Sequence, residues 1–129
     1  MKIVIRSFIP AVLAFIGATI LFCLPGDEFP KEDWFELVSL DKLIHIGLFT
    51  TLVSLWCLPF IPIKNDSSKL KTLFVVIALA FSLYGVAIEF IQDNFVSNRT
   101  FGVDDMVADA IGSFIGLLVA NWQLKTQLK

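Results

Sequence analysis

Four long apolar stretches limit what this chain can fold into. Each is close to the roughly 20 apolar residues that a helix needs to cross a bilayer, and only short loops separate them. The mean hydropathy of +0.80 exceeds what a soluble domain of 129 residues needs. Since backbone polar groups in hydrocarbon must be satisfied within each segment, the sequence predicts an all-α, integral membrane bundle forming a single domain over residues 1–129. The predicted transmembrane helices cover residues 7–24, 43–63, 73–91 and 106–124.

Local signals add detail at two places. Pro59 and Pro62 stand near the end of the second stretch, where they predict that the α-helix kinks or stops. In the first loop, "KEDWFELVSL" places Trp34, Leu37 and Val38 at helical spacing opposite acidic residues. This pattern is compatible with a short interfacial helix lying on the membrane, and also with a solvated loop that has an aromatic anchor.

The charges of the loops predict the orientation. The first loop has six acidic residues against two lysines, and Arg99 is the only base in the third loop. Basic residues favour the cytoplasmic side, so we expect a multi-pass protein of the bacterial plasma (inner) membrane with both termini in the cytoplasm. The bases on the predicted cytoplasmic side are Lys2, Arg6, Lys64, Lys69, Lys71, Lys125 and Lys129.

Polar residues gather at the predicted extracytoplasmic ends of three helices. "DKLIH" opens the second span, "YGVAIEFIQD" closes the third and "DDMVADAIG" opens the fourth. Ionisable groups inside a span usually face the bundle interior, because contact with lipid is costly. The cluster consists of Asp41, Lys42, His45, Glu89, Gln92, Arg99, Asp104, Asp105 and Asp109.

The cluster carries five carboxylates against two permanent cations, Lys42 and Arg99. Such an excess in a low-dielectric pocket requires protonated acids, a cationic His45 or a bound cation. No recognised metal spacing is present, so we predict no metal ligands and leave the cofactor unknown. We interpret Asp104 as a helix N-cap. Asp109 lies one turn deeper, and we expect it to be protonated or paired with Arg99 or Lys42.

Small residues recur every four positions along the fourth span, at Ala108, Gly112, Gly116 and Ala120. This spacing lets membrane helices approach closely. It predicts that the fourth helix packs against a neighbour, with Asp105 held away from lipid.

The motifs resemble those of the VanZ-like family of small bacterial membrane proteins, which is named for a teicoplanin-resistance protein. The resemblance covers roughly residues 41–116 and implies a role in the cell envelope, with an effect on glycopeptide susceptibility. Asp109 departs from the family pattern, which usually has Asn at this position. The matching positions are Asp41, Lys42 and His45, then Glu89 and Gln92, then Arg99, and finally Asp105 and Gly112.

Two functions compete at the level of sequence, an enzyme and a non-catalytic binding or accessory protein. The enzyme would act on an envelope lipid or lipid-linked precursor; the accessory protein would bind such a precursor or a glycopeptide. A transporter is less favoured, because no charge lies midway through a span, and no nucleic-acid partner is expected. The predicted catalytic residues are Asp41, His45, Glu89 and Asp105. The predicted substrate-binding residues are Lys42, Gln92, Arg99 and Asp109.

Overall fold

Four α-helices make up the fold. The computed structural model describes residues 5–25, 40–63 and 66–127, and within these ranges the chain is helical and contains no strand. A 3₁₀ turn, Ile5–Phe8, leads into the first helix, and a second, Leu58–Ile63, follows the second helix. The helices are α1 (Ile9–Phe22), α2 (Leu40–Cys57), α3 (Ser67–Phe95) and α4 (Val103–Gln127).

The ends of two helices follow from local residues. The α2 helix stops at Cys57 and the chain continues as the 3₁₀ turn that contains Pro59 and Pro62, which confirms the predicted effect of the prolines. The α3 helix is capped by Asp66, whose carboxylate accepts hydrogen bonds from the amides of Ser68 and Lys69 at 3.0 and 3.2 Å.

Three segments are long and apolar enough to cross a membrane: Ile5–Phe22, Leu40–Pro62 and Ser67–Phe95. Among the described residues, three of the four predicted spans therefore correspond to helices with the length and composition of a membrane span, and α4 is not one of them. The predicted interfacial helix, with Trp34, Leu37 and Val38, lies outside the described residues.

Apolar side chains cover the outside of the bundle as well as filling its core. Large apolar side chains are exposed along every helix, for example Leu13 on α1, Leu83 on α3 and Phe114 on α4. Polar side chains are instead buried between the helices. These buried polar residues are His45, Glu89, Gln92, Asp109 and Ser113. A lipid environment suits both halves of this pattern, because hydrocarbon solvates apolar surface and penalises exposed charge.

The α2 and α4 helices approach most closely at the small residues of α4. A Cβ placed on Gly112 would lie 2.6 Å from the carbonyl oxygen of Ile46, and one on Gly116 would lie 2.7 Å from Cβ of Val53. The hydroxyl of Thr50 donates to the Gly112 carbonyl at 3.1 Å across the same contact. The small-residue pattern predicted to allow close packing is confirmed here.

Candidate functional site

The polar residues meet because three helix ends lie together. His45 is near the start of α2, Glu89 is near the end of α3, and Asp109 is in the second turn of α4. The short segment 96–102 joins α3 to α4, so the chain reverses direction beside the cluster. The C-terminal end of α1 closes it, because the ring of Phe22 lies 4.8 Å from the imidazole of His45, centroid to centroid.

The centre of the site is a buried His–Asp pair. The Nδ1 atom of His45 lies 2.8 Å from Oδ1 of Asp109, and the two side chains are 2% and 0% exposed. The other carboxylate oxygen of Asp109, Oδ2, is buried and has no hydrogen-bond partner among the described residues. His45 therefore satisfies only one of the two carboxylate oxygens of Asp109.

Glu89 is the third buried member of the centre. Its Oε2 atom accepts a hydrogen bond from the backbone N–H of Gly102 at 2.9 Å, which fastens the start of α4 to the end of α3. Its Oε1 atom is buried, and no residue in the described ranges hydrogen-bonds to it. One ligand atom each from His45, Glu89 and Asp109 lie within 4.8 Å of one another.

Gly85 makes room for Asp109. A Cβ on this glycine would lie 2.6 Å from Oδ2 and 2.7 Å from Cβ of Asp109, closer than real Cβ atoms come to a neighbour. The backbone of α3 therefore forms one wall of the carboxylate's pocket. Any side chain at position 85 would displace the buried acid from its place beside His45.

A second layer of charges lies nearer the surface. Asp41 and Asp105 each place a carboxylate oxygen within 4.8 Å of a His45 ring nitrogen and of each other. Lys42 forms an ion pair with Asp104 at 2.7 Å. The hydrogen bond from Lys42, together with nearby backbone amides, lowers the pKa of Asp104, whereas burial raises the pKa of Asp105. The two adjacent acids thus differ because Asp104 is exposed and bonded to Lys42, whereas Asp105 is half-buried.

The remaining predicted site residues are Gln92 and Arg99. The amide of Gln92 donates to the Phe22 carbonyl at 2.9 Å, where it satisfies an acceptor at the C-terminal end of α1. This hydrogen bond gives Gln92 a structural role in addition to its predicted role in substrate binding. Arg99 is half-buried in the segment between α3 and α4.

The geometry of the His–Asp pair determines which nitrogen can react. An ionised carboxylate only accepts hydrogen bonds, so Asp109 in that state requires the proton to be on Nδ1 of His45. Nε2 then carries a free lone pair and can take a proton from a bound molecule or ligate a cation. The arrangement is chemically able to support general acid–base catalysis, binding of a cationic or hydrogen-bonding headgroup, or binding of a metal ion.

Two groups of side chains have a spacing that could hold a metal ion. The outer group is Asp41, His45 and Asp105, and the inner group is His45, Glu89 and Asp109. His45, the only histidine of the chain, belongs to both. All three members of the inner group are buried, whereas Asp41 of the outer group is exposed.

Sequence reasoning placed the cluster but missed some of its contacts. Asp109 is hydrogen-bonded to His45, a partner that the sequence did not suggest, because α2 and α4 pack at their glycine contacts. The expectation that Asp109 is protonated stays a prediction. Asp104 lies in the first turn of α4, which begins at Val103, and it pairs with Lys42 instead of acting as the N-cap. Ser113 is buried one turn below Asp109, and its place in the periodic pattern of α4 was the available signal.

Comparisons with known proteins do not assign this chain to a family. No protein-family model matches the chain, and neither a curated protein nor a solved structure matches it. The resemblance to the VanZ-like family therefore rests on the motifs quoted above.

Proposed function

We propose that this protein is a bacterial envelope enzyme of the plasma membrane that acts on the headgroup of a membrane lipid or lipid-linked precursor. The observation that carries the proposal is the buried His45–Asp109 pair, with Glu89 within 4.8 Å, at the end of a bundle whose outer surface is apolar. Structural ion pairs rarely leave buried carboxylate oxygens unpartnered, because each such atom costs stability. Two buried acid oxygens beside one imidazole, neither with a hydrogen-bond partner among the residues that the structure describes, therefore favour a functional role.

In this proposal Asp109 holds His45 in the reactive tautomer and Nε2 acts as the general base. Glu89 exchanges a proton with the same centre. Lys42 and Asp104 lie at the surface of the site, where the ammonium group can contact the phosphate of a lipid headgroup. Asp41 and Asp105 surround the imidazole and would stabilise its cationic form during the reaction.

An apolar groove supports a substrate with a hydrocarbon chain. It has a volume of about 530 Å³ and is lined by side chains of α1, α2 and α3. One of them, Tyr84, directly precedes Gly85, whose backbone contacts Asp109. A lipid tail in the groove would therefore lie beside the helix that carries the buried acids. The residues that line it are Val12, Phe15, Trp56, Ile77, Ala80, Phe81 and Tyr84.

We further propose that α4 is the fourth membrane span. Its buried polar residues, Asp109 and Ser113, face the bundle, whereas Val107, Ile111, Phe114, Leu118 and Trp122 form an exposed apolar face. In water this face would promote aggregation, but in a bilayer it would contact lipid tails. The loop charges then orient the acidic site toward the outside and both termini toward the cytoplasm.

Cysteine labelling of intact cells tests this orientation. In a background with Cys23→Ala and Cys57→Ala, we expect a membrane-impermeant maleimide to label Ser97→Cys and to leave Ser67→Cys unlabelled until the cells are opened. The α3 helix of 29 residues, roughly 43 Å long, separates the two positions. Labelling of Ser67→Cys alone in intact cells would show the opposite orientation and move the site to the cytoplasmic face.

A lipid comparison tests the enzymatic function. We expect lipid extracts of cells that express the wild type to contain an altered headgroup species, which is lost at least tenfold in His45→Asn. The matched control is Asp104→Asn, which removes an exposed acid at the same end of the bundle and should keep at least half of the product. The measurement is mass spectrometry of the extracts at equal expression.

The second candidate, a binding or accessory protein, predicts a different result. The same buried side chains would then recognise a precursor or glycopeptide without changing it, as the VanZ-like resemblance implies. Identical lipid extracts in the presence and absence of the protein, together with a glycopeptide phenotype that His45→Asn abolishes, would support binding and contradict the enzyme.

A further inference from the structure

We propose that His45, Glu89 and Asp109 form a binding site for one divalent transition-metal cation of the Zn²⁺ type. This site goes beyond the proposed function, because it holds whether the protein transforms a lipid or only binds one. Three lines of reasoning lead to it, from the geometry, from the charge and from the type of ligand.

The geometry provides three ligands on three different helices. One donor atom each from His45, Glu89 and Asp109 lie within 4.8 Å of one another, so a single ion could contact all three. Such an ion would take the place of the proton between Nδ1 of His45 and Oδ1 of Asp109, which lie 2.8 Å apart. The side chains are 2%, 0% and 0% exposed. Oε1 of Glu89 and Oδ2 of Asp109 are also buried, and neither has a hydrogen-bond partner in the described part of the chain. The centre thus has unused acceptor capacity where a cation would sit.

The charge of the buried group favours a dication. Two ionised carboxylates with a neutral imidazole carry a charge of −2, which is costly among apolar side chains. Lys42, a permanent cation at the same end of the bundle, is paired with Asp104 at the surface. A dication would neutralise the inner group completely, whereas a single proton would neutralise only half of it. A proton and a metal cation therefore compete to neutralise the charge of the same two carboxylates.

The types of ligand point to the class of ion. Imidazole together with carboxylates suits Zn²⁺ and related first-row metals, and three protein ligands leave a coordination position for water or substrate. Mg²⁺ prefers six oxygen ligands in octahedral geometry and keeps its water, so it fits this group less well. A site that contains a histidine therefore suits Zn²⁺ better than Mg²⁺.

The surrounding packing preserves the space between the ligands. Gly85 gives Asp109 its room, and the N–H of Gly102 holds Oε2 of Glu89 while the other oxygen stays available. These contacts fix both carboxylates before any ion binds. Preorganised ligands lower the cost of binding, as in other metal sites whose ligands are hydrogen-bonded.

Retention of zinc by the purified full-length chain tests the proposal. The protein is purified in detergent without a polyhistidine tag, in a Cys23→Ala background that removes the exposed thiol. It is stripped with a chelator, loaded with Zn²⁺, desalted and analysed by mass spectrometry of the metal. We expect about one Zn²⁺ per chain, and a loss of at least tenfold in both Glu89→Gln and Asp109→Asn, which keep the side-chain size. Excess Mg²⁺ should not displace the zinc.

Two control variants locate the ion. Asp104→Asn removes an exposed acid at the same end and should retain zinc as the wild type does. Asp41→Asn belongs to the outer group only and should also retain it. Circular dichroism and size exclusion verify folding, and zinc should raise the unfolding temperature of the wild type but not of Asp109→Asn.

Any of three results would contradict the proposed metal site. They are retention below a tenth of an ion per chain in the wild type, undiminished retention in Glu89→Gln and Asp109→Asn, or loss in Asp41→Asn without loss in Glu89→Gln. None of these results affects the lipid comparison with His45→Asn, so failure of the metal site and failure of the proposed function can be told apart.

Discussion

Replacement of Asp109 by Leu is expected to lower the free energy of unfolding by about 3–5 kcal/mol. Leu resembles Asp in shape, so the change removes the carboxylate without opening a large cavity. His45 then loses the partner 2.8 Å away and stays buried with an unsatisfied Nδ1. Removing one member of a buried pair costs this much because the other cannot be solvated.

The measurement is unfolding of the purified chain in detergent micelles, with a chelator present so that bound cations do not contribute. Asp109→Asn retains an oxygen that can accept the proton of His45, and it should cost less than about 1.5 kcal/mol. Asp104→Leu breaks the exposed pair with Lys42, which solvent screens, and should cost about 0–1 kcal/mol. If the Leu variant were as stable as the Asn variant, the buried pair would not contribute to the fold.

Replacement of Gly112 by Ala is expected to destabilise the protein by about 1–3 kcal/mol, although Ala is the better helix former. The added Cβ would lie 2.6 Å from the Ile46 carbonyl oxygen and 3.0 Å from its Cα. Both are backbone atoms that cannot rotate away, so α2 and α4 must move apart. The separation also stretches the hydrogen bond from Thr50 to the Gly112 carbonyl.

Gly47→Ala is the matched control for this substitution. Gly47 lies on α2 near the same contact, but a Cβ there would meet nothing within 4 Å. Since only the helix propensity changes, this variant should gain about 0.5–1 kcal/mol. Both variants are compared by unfolding in the same detergent. Equal effects of the same sign would mean that the approach of α2 and α4 does not limit the packing.

The close contact between α2 and α4 also positions the polar site. Gly112 lies three residues after Asp109 on α4, and Ile46, which it contacts, directly follows His45 on α2. Close approach of the two backbones brings the imidazole and the carboxylate to hydrogen-bonding distance. A loss of packing at Gly112 should therefore also weaken the site, which links the two predictions above.

Much of the architecture could be predicted because it depends on local composition. The four apolar stretches predict four helices, and the prolines after Cys57 predict where α2 ends. The repeat of small residues on α4 predicts a close helix contact. The gathering of acids and His45 at one end follows from short loops, which make successive helices antiparallel.

The pairing inside the cluster could not be predicted in this way. The sequence offered Lys42 and Arg99 as partners for Asp109, since both are cations at the same end. The rotation of α4 against α2 instead brings Asp109 to His45 and leaves Lys42 with Asp104. The hydrogen bond from Gln92 to the Phe22 carbonyl could not be predicted either, because it depends on the position of α1.

The sequence by itself determined that this protein is a membrane-type chain of α-helices whose single histidine lies in a cluster with five acids, Asp41, Glu89, Asp104, Asp105 and Asp109. Hydrophobicity and helical periodicity are properties of each segment, so they can be read before the chain folds. Only the tertiary structure decided which acids are buried, which atom of each is left without a partner, and that Glu89 and Asp109 share His45. These features depend on the rotation and separation of the helices, which steric contacts at Gly85 and Gly112 limit.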